Sequence, residues 1–447
     1  MPETFDLLIK GATVVNHAGE GLADIGVKDG RIVAIGSFAG NSAARTIEAA
    51  GLHILPGVID TQVHFREPGL EHKEDLQSGS RSAVLGGVTA VFEMPNTKPT
   101  TVTSEALAHK VARGRGCMYC DFAFFVGATR ENVEELPRLE RLPGAAGIKV
   151  FMGSSTGDLL VDDEETLSRI LALIERRAAF HAEDEARLRE RASLRRQGDP
   201  SSHSEWRDPE AALAGTAKLV RLATAAGKRV HVLHVSTAAE MQLLALHKEV
   251  ASVEMTPQHL TLTAPEIYRR LGTKAQINPP LRDAAHQNVL WWGLTQGVVD
   301  VLGSDHAPHT LEEKAQSYPA SPSGMPGVQT LVPVMLNHVN EGRLSLTRFV
   351  DLTSAGPQRL FGIAGKGRIA AGYDADLTIV DLKAERVIEE DWIGSKCGWT
   401  PFAGEKVKGW PVGTIVRGTL AMWEGELGAA SGEPVRFGEA LPRDPLA

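Results

Sequence analysis

Residues 54–66 decide the fold, and they read Ile-Leu-Pro-Gly-Val-Ile-Asp-Thr-Gln-Val-His-Phe-Arg. The stretch begins as an almost unbroken apolar run and ends in polar side chains. Runs of this kind are typical of a parallel strand that is buried on both faces. Because side chains alternate along a strand, Asp60, Gln62 and His64 share one face. The stretch therefore predicts a buried strand that ends in a polar, functional edge.

Seven further apolar runs of strand length follow this one along the chain. Counted from the first, the eight runs are Ile54–His64, Thr89–Met94, Asp121–Val126, Gly147–Met152, Ala178–Ala182, Arg229–Val235, Ser252–Thr256 and Val298–Gly303. Helix-like stretches fall between them, for example Glu105–Arg113, Glu164–Arg177 and Ala211–Ala226. Eight strands that alternate with helical crossovers predict a closed parallel barrel.

The two ends of the chain have a different texture, with short alternating runs and turn residues. These runs are Asp6–Val15, Ile25–Ile35, Gly367–Ile369, Ala375–Val380, Thr414–Arg417 and Ala421–Trp423. We therefore predict an α/β fold, a (β/α)8 TIM barrel over residues 53–364 with a small β-sandwich domain formed by residues 1–52 and 365–447. We expect the tail from Gly425, which is rich in Gly, Pro and charge, to wrap the surface.

Composition narrows the class of partner. The 447 residues carry 47 basic and 56 acidic side chains, a formal charge of −9, without long blocks of one sign. This balance gives no electrostatic footprint for nucleic acid or for an anionic membrane, so a small-molecule substrate is expected. The first ten residues lack the pattern of a secretory signal and no long apolar run follows, which predicts a cytoplasmic protein.

The carboxyl ends of barrel strands meet on one face, where barrel enzymes place their chemistry. In this chain those ends carry His64, Lys149, His231, His234, His181 and Asp305. Imidazole and carboxylate groups from several strands are what a catalytic divalent metal needs, with positions left open for water and substrate.

Two of these positions raise questions that the pattern leaves open. Lys149 is a lone ammonium in an apolar run, where an unpaired charge is costly, so either its end reaches water or its charge is chemically altered. His231 and His234 are three residues apart, so on a strand they face opposite ways and only one is expected to point into the barrel.

These motifs resemble the amidohydrolase superfamily, in which an Asp-x-His-x-His strand, a carboxylated lysine, two further histidines and an aspartate hold one or two zinc ions. The resemblance implies that Lys149 is an N6-carboxylated bridging ligand and that His181 and His234 hold the more buried metal. It also implies that His64 and Asp305 hold the other metal.

Gln62 departs from the family pattern, because it stands where the family has a histidine ligand. A neutral amide oxygen is a poorer zinc ligand than an imidazole. We therefore expect one tight zinc ion and a second that is weak or absent.

Within the superfamily, four segments resemble the dihydroorotases: His64–Gly69, Met94–Thr97, Asn278–Arg282 and Ser304–His309. The resemblance implies that Arg66, Asn96 and His309 recognise a carboxylate on the substrate, which suits the planar fork of a guanidinium. It also implies that Asn278 offers an amide and Gly327 a backbone N–H to the substrate ring.

The activity that the resemblance implies is the reversible, zinc-dependent interconversion of L-dihydroorotate and N-carbamoyl-L-aspartate in de novo pyrimidine biosynthesis. Asp305 would act as general base and then as general acid. A homo-oligomer, dimer or tetramer, is the family expectation.

Two alternatives remain at this stage. The segment Lys149–Met152 looks as much like that of an allantoinase or hydantoinase, which share the metal ligands. The other alternative, which follows from Gln62, is a catalytically inactive scaffold protein that associates with aspartate transcarbamoylase.

Overall fold

The computed structural model describes residues 5–38, 40–154 and 159–438. Its strands are β1 (Phe5–Asn16), β2 (Gly19–Lys28), β3 (Arg31–Gly36), β4 (Ala43–Glu48), β5 (His53–Pro56), β6 (Val58–Val63), β7 (Val88–Glu93), β8 (Asp121–Gly127), β9 (Ala145–Phe151), β10 (Ala178–His181), β11 (Val230–Val232), β12 (Ala251–Met255), β13 (Val301–Leu302), β14 (Leu377–Val387), β15 (Lys406–Val416), β16 (Thr419–Trp423) and β17 (Glu426–Leu427).

The α-helices of the same residues are α1 (Leu76–Leu85), α2 (Ser104–Gly114), α3 (Leu136–Leu139), α4 (Glu164–Leu173), α5 (Glu185–Arg191), α6 (His203–Trp206), α7 (Pro209–Ala226), α8 (Ala238–Ala245), α9 (Pro257–Thr261), α10 (Glu266–Leu271), α11 (Ala284–Thr295), α12 (Leu311–Lys314), α13 (Leu331–Asn340), α14 (Leu346–Val350) and α15 (Gly356–Phe361). Shorter helical turns lie at Val133–Glu135, Ala192–Leu194, Pro200–Ser202, Gly272–Ala275, Asp351–Ala355 and Glu390–Trp392.

Strands β6 to β13 form one parallel sheet in which each strand pairs with its neighbour in sequence. The sheet closes between its first and last strands, where the His64 N–H donates to the carbonyl of His306 at 2.7 Å. The predicted (β/α)8 barrel is confirmed, and each of the eight predicted runs overlaps one of its strands.

The first of those runs is nevertheless two strands, which corrects the prediction of one strand over Ile54–His64. The chain turns at Gly57, whose N–H donates to the carbonyl of Asp376 at 2.7 Å. A Cβ at this position would lie 2.2 Å from Oγ1 of Thr89, so only glycine fits such a close approach. The residues before Gly57 form β5 of the second sheet, and those after it form β6 of the barrel.

The second sheet joins the two ends of the chain. Its strands follow the order β17-β16-β15-β14-β5-β1-β2-β3, with β4 paired to β1. Apolar side chains from both ends, such as Ile9, Ile25 and Leu377, belong to one core. The predicted strand Ile25–Ile35 is in fact parts of two strands, because Asp29 and Gly30 take positive φ angles of 50° and 72° and form a turn.

Two other predictions about elements need correction. Gly367–Ile369 lies outside the strands of the described residues. The helix predicted over Glu164–Arg177 ends at Leu173, because the carboxylate of Glu140 accepts hydrogen bonds from the N–H groups of Glu175 and Arg176 and holds that segment out of the helix.

Ten of the fifteen described α-helices begin where a side-chain oxygen caps their free N–H groups. Such N-caps are Asp75, Thr103, Asp163, Asp184, Asp208, Thr237, Thr256, Asp283, Thr310 and Ser345. In the part of the chain that the structure describes, no helix is both long enough and apolar enough to cross a bilayer.

The amino-terminal end of the barrel is closed by apolar side chains. Phe361 packs edge-on against Phe92 at a centroid distance of 5.2 Å, and Phe437 lies 5.7 Å from the same ring. Val435 and Phe437 are buried, so this part of the tail is a plug and does not wrap the surface as predicted. Residues 439–447 of the predicted tail lie outside the described residues. The carboxyl-terminal mouth of the barrel is the end where the predicted ligands lie.

Candidate metal centre and substrate pocket

A narrow cavity of about 20 Å³ opens at the carboxyl ends of the barrel strands. It is lined by Gln62, His64, Lys149, Phe151, His181, His234, Asn278, Asp305, Ala307, Ser323 and Gly324. All the predicted metal-ligand positions therefore lie in one place. The volume suffices for a water molecule or an ion.

His64 and Asp305 form one pair of candidate ligands. Nε2 of His64 lies 3.2 Å from Oδ1 of Asp305, and Nδ1 of His64 lies 2.7 Å from Oδ1 of Asn96. With an amide oxygen as its partner, Nδ1 carries the proton, so Nε2 turns a lone pair toward the carboxylate. Burial lowers the pKa of His64, which favours the neutral, ligand-competent imidazole.

His181 and His234 form the second pair. Nδ1 of His181 lies 3.1 Å from Nε2 of His234. On its other side, Nε2 of His181 lies 2.7 Å from the carboxylate of Glu183, which also binds Arg207. Burial alone would raise the pKa of Glu183, but Arg207 and His181 hold it well below its ordinary value. The carboxylate is therefore ionised and places the His181 proton on Nε2, which leaves Nδ1 to face the cavity.

The spacing of both pairs fits a divalent cation. Two ligands bound tetrahedrally to one zinc ion at about 2.0–2.1 Å lie about 3.3 Å apart, close to the 3.1 Å and 3.2 Å observed here. Burial, His181 and Lys149 lower the pKa of His234 well below its ordinary value, so it too is neutral. A divalent cation placed between the two atoms of either pair would therefore lie within bonding distance of both.

Each pair needs a further donor. Within the described residues, no three His, Cys, Asp or Glu side chains converge on one metal position. Lys149 lies in the same cavity, with its ammonium 4.5 Å from the ring centre of Phe151. Burial lowers its pKa to about 7, although Asp305 and Glu254 oppose the shift. An amine with this pKa is partly neutral at physiological pH and can react as a nucleophile.

Gln62 lies beside the first pair. Its amide Nε2 donates to Oδ1 of Asp305 at 3.0 Å, whereas its Oε1 is buried without a hydrogen-bond partner among the described residues. The carbonyl oxygen is therefore free to serve as a weak ligand, but the amide N–H occupies the carboxylate oxygen that also faces His64.

Positive φ angles place two of the ligands. Six non-glycine residues of the described chain have positive φ, and Arg66 (65°), His234 (37°) and Asp305 (44°) are three of them. Such backbone costs free energy and clusters at functional sites. Because His234 leaves the strand conformation, the expectation that only one of His231 and His234 points into the barrel is wrong. His231 lies inside the barrel, 5.6 Å from the ring of Phe361, and His234 lies at its mouth.

A wider cavity of about 650 Å³ adjoins the ligand cluster. It is lined by Arg66, Leu70, Lys73, Asn96, Thr97, Lys98, Pro99, Thr100, Thr129, Leu159, His309 and Pro322. The three residues predicted to recognise a carboxylate are thus together. Arg66 is buried, its Nε donates to the carbonyl of Pro308 at 3.1 Å, and its NH2 lies 3.3 Å from Nε2 of His309.

The structure places the two predicted ring contacts differently. Asn278 lines the narrow cavity, and its Oδ1 lies 2.9 Å from Nε2 of His203. Gly327 does not line the cavity, because its N–H donates to Nδ1 of His306 at 3.1 Å. Gly324 and Ser323 lie there instead. A Cβ at Gly324 would lie 2.4 Å from the carbonyl of Ala307, so glycine is required by close packing at this position.

Sequence reasoning missed several residues that hold the site together. Glu183 and Arg207 orient His181, and Glu254 lies beneath the ligands, where it accepts from Oγ1 of Thr61 at 2.8 Å. Burial raises the pKa of Glu254 to about 8. The only sequence signal for Glu183 was its position two residues after His181, on the same side of an extended chain.

Comparisons with known proteins agree with this geometry. The model of the Amidohydrolase family matches residues 53–421, and that of the urease alpha-subunit N-terminal domain matches residues 1–56. A dihydroorotase of Halobacterium salinarum is 40% identical over 390 residues, which cover 87% of this chain and 90% of that protein. An allantoinase of Rubrobacter xylanophilus is 35% identical, with 97% of each chain covered. The solved structure of an L-hydantoinase (dihydropyrimidinase) from Arthrobacter aurescens superposes with a TM-score of 0.92 at 31% identity and covers 96% of this chain and 99% of its own.

Proposed function

The chain belongs to the amidohydrolase family, and from that premise we propose that it is a dihydroorotase, which interconverts L-dihydroorotate and N-carbamoyl-L-aspartate in pyrimidine biosynthesis. Both compounds carry a carboxylate that takes no part in opening or closing the ring. The site must therefore combine a means of attacking an amide with a fixed cation.

The cationic end of the wide cavity carries this proposal. Arg66 is buried and lies 3.3 Å from His309, beside the narrow cavity that holds the ligand pairs. A buried guanidinium without a carboxylate within ion-pair distance among the described residues suits an anionic substrate, because its fork holds a carboxylate through two hydrogen bonds. Burial lowers the pKa of Arg66 to about 10, so it stays charged at neutral pH.

The ligand pairs fit zinc. His181 and His234 would hold one ion, and His64 and Asp305 the other. Zinc, when bound, polarises the amide carbonyl and makes water a better nucleophile at neutral pH. We propose one tightly held ion at the histidine pair and a weaker or absent one beside Gln62, whose amide N–H already engages Asp305.

Lys149 is proposed to be N6-carboxylated. Its amine lies in the same cavity as both ligand pairs, and each pair lacks a third acidic or imidazole donor among the described residues. Reaction of the neutral amine with carbon dioxide forms a carbamate and releases a proton. Carboxylation would thus replace an unpaired buried cation by an anion with two oxygens, which could serve one metal position each.

Asp305 is proposed to move the proton. Its carboxylate faces the narrow cavity between Gln62 and His64. In ring opening it takes a proton from the attacking water and gives it to the departing ring nitrogen, as general base and then general acid. Ring closure uses the same steps in reverse, so it starts from the protonated acid and is expected to gain at lower pH.

The test is a set of assays on the purified, metal-analysed protein with L-dihydroorotate, N-carbamoyl-L-aspartate, allantoin and hydantoin. We expect dihydroorotate and carbamoyl aspartate to be turned over with the highest kcat/KM. Turnover of allantoin or hydantoin, with no turnover of dihydroorotate, would refute the assignment.

Arg66→Met supplies the matched variant. It removes the carboxylate anchor and no metal ligand, so we expect kcat/KM for dihydroorotate to fall about 10²-fold or more, the effect of losing a charge-assisted hydrogen-bonded pair. Zinc content should be unchanged. Arg45→Gln changes an exposed arginine on β4 of the second sheet; it is the control and should behave as the unchanged protein. Full activity of Arg66→Met would exclude a role in binding the substrate.

A hydantoinase or allantoinase remains the second candidate, since the L-hydantoinase structure covers 96% of this chain. Those substrates are cyclic amides too, and the same assay decides between them. The inactive scaffold, with aspartate transcarbamoylase as its partner, rests on Gln62 alone. It predicts neither bound zinc nor turnover of any of the four compounds.

A further inference from the structure

Lys73 lies at the cationic end of the wide cavity, although no sequence motif singled it out. Its ammonium is 3.1 Å from Nδ1 of His309 and 3.0 Å from the carboxylate of Glu313. The side chain is 13% exposed, and Lys73 lines the cavity together with Arg66. Lys73 therefore contacts His309, which we assign to substrate binding. Neither residue is a proposed metal ligand.

The contact fixes which nitrogen of His309 carries the proton. An ammonium only donates, so Nδ1 must accept and the proton lies on Nε2. The opposite side of the ring agrees, because Nε2 lies 3.0 Å from the carbonyl of Ser323, which only accepts. Burial, followed by the charges of Arg66, Lys73 and Lys314, lowers the pKa of His309 to about 3 although Glu313 opposes it, so the ring is neutral.

The tautomer determines what the site offers to a ligand. With its proton on Nε2, His309 donates to the carbonyl of Ser323 and cannot accept from NH2 of Arg66, which lies 3.3 Å away. That guanidinium N–H therefore stays available for a substrate carboxylate. In the other tautomer Nε2 would accept from Arg66 and would take up a donor that the carboxylate needs.

We propose that Lys73 is a positioning residue that holds His309 in the tautomer with its proton on Nε2 and so makes the cavity selective for substrates with a carboxylate. The inference rests on the proposed function, which it deepens. Lys73 acts through His309 and need not touch the substrate. Glu313 holds the ammonium in place from the other side.

The central experiment is a double-mutant cycle with Lys73→Met and His309→Ala, assayed with dihydroorotate and with dihydrouracil, which has the ring without the carboxylate. We expect Lys73→Met to raise KM for dihydroorotate about tenfold with kcat nearly unchanged, which is the loss of one charge-assisted hydrogen bond. In the His309→Ala background the same change should have no further effect.

Three controls separate this role from a structural one. Lys28→Met removes an equal charge from an exposed lysine of β2, outside the cavity, and should leave KM within about twofold, as a solvated charge contributes little. Lys73→Arg keeps a donor and should restore most of the binding. Zinc content and the melting temperature of Lys73→Met should match those of the unchanged protein.

The outcomes distinguish this inference from the proposed function. If the effects of the two changes on KM multiply in the double variant, Lys73 does not act through His309. The same holds if Lys73→Met raises KM for dihydrouracil as much as KM for dihydroorotate. Nitrogen NMR of His309 reads the tautomer without any substrate, and a proton on Nδ1 would overturn the inference even if dihydroorotate is turned over. If the unchanged protein fails to act on dihydroorotate while the proton lies on Nε2, the proposed function fails and with it the selectivity part of the inference.

Discussion

At the scale of single residues, Gln62 has the clearest consequence. Its amide N–H donates to Asp305 at 3.0 Å, so in the proposed metal centre the glutamine would weaken one metal position and occupy the carboxylate that would serve it. An imidazole at position 62 would supply a better zinc ligand and would release that oxygen.

We therefore expect Gln62→His to raise the zinc content from about one toward two ions per chain, measured by mass spectrometry of the metals after dialysis. Gln77→His, a change on an exposed residue of α1, is the control for adventitious binding. An unchanged stoichiometry would mean that another feature limits the second position.

His231 gives a prediction about pH that also belongs to this scale. The ring is fully buried and contacts Oγ of Ser252 at 2.9 Å. Burial, followed by Arg177, lowers its pKa to about 3, whereas an unfolded histidine has a pKa of about 6.5. Between these values the unfolded chain binds more protons than the folded protein. The contribution of His231 to stability is thus fully present above pH 6.5 and is lost as the pH falls toward 3.

Between pH 6.5 and pH 5.0 we expect the free energy of unfolding of His231→Asn to fall by roughly 2 kcal/mol less than that of the unchanged protein. Each pKa unit corresponds to about 1.4 kcal/mol. Melting temperatures at the two pH values measure the difference. His109→Asn, a change on an exposed residue of α2, should leave the pH dependence as it is. An identical fall for all three proteins would contradict the assigned pKa.

At the scale of secondary-structure elements, local patterns predicted strands better than they predicted where strands stop. The run Ile54–His64 looked like one strand because its residues are uniformly apolar. It divides at Gly57 because Thr89 and Asp376 approach the backbone there. Strand β11 ends at Val232, and the positive φ of His234 then brings this histidine to the cavity that His181 also lines. The rule that alternate side chains lie on the same face holds only while the backbone remains extended.

The ring contact assigned to Gly327 is a second case at the scale of elements. The segment Gly324-Met325-Pro326-Gly327 has two glycines, and sequence reasoning assigned the ring contact to Gly327. The N–H of Gly327 is engaged by His306, whereas Gly324 lies at the cavity with a φ of 143°. Neither fact is visible in a composition or a spacing.

At the scale of the whole molecule, a buried ionic cluster joins the barrel to the second sheet. Lys366 binds the carboxylates of Asp121 at 2.5 Å and Asp376 at 2.6 Å. Arg417 also binds Asp121. Asp121 opens barrel strand β8, whereas Asp376 directly precedes β14 of the sheet. One cation therefore compensates buried acids from both parts of the molecule.

We expect Lys366→Met to destabilise the protein by about 3–5 kcal/mol, because breaking a buried pair leaves its carboxylates uncompensated. The midpoint of urea unfolding measures the effect. Lys406→Met removes the cation of an exposed pair with Glu385 and should cost less than about 1 kcal/mol. Equal midpoints for the two variants would mean that the cluster does not hold the barrel and the sheet together.

The sequence by itself determined the barrel, its eight strands and the identity of the residues at their carboxyl ends, since hydrophobic periodicity is a local property of the chain. It also located the candidate ligands and Arg66, because each lies near the carboxyl end of a barrel strand. The tertiary structure alone decided the protonation and direction of those side chains. The partners that set them come from far along the chain, as Lys73 does for His309 and Asp305 does for Gln62. Only folding brings such groups within hydrogen-bonding distance.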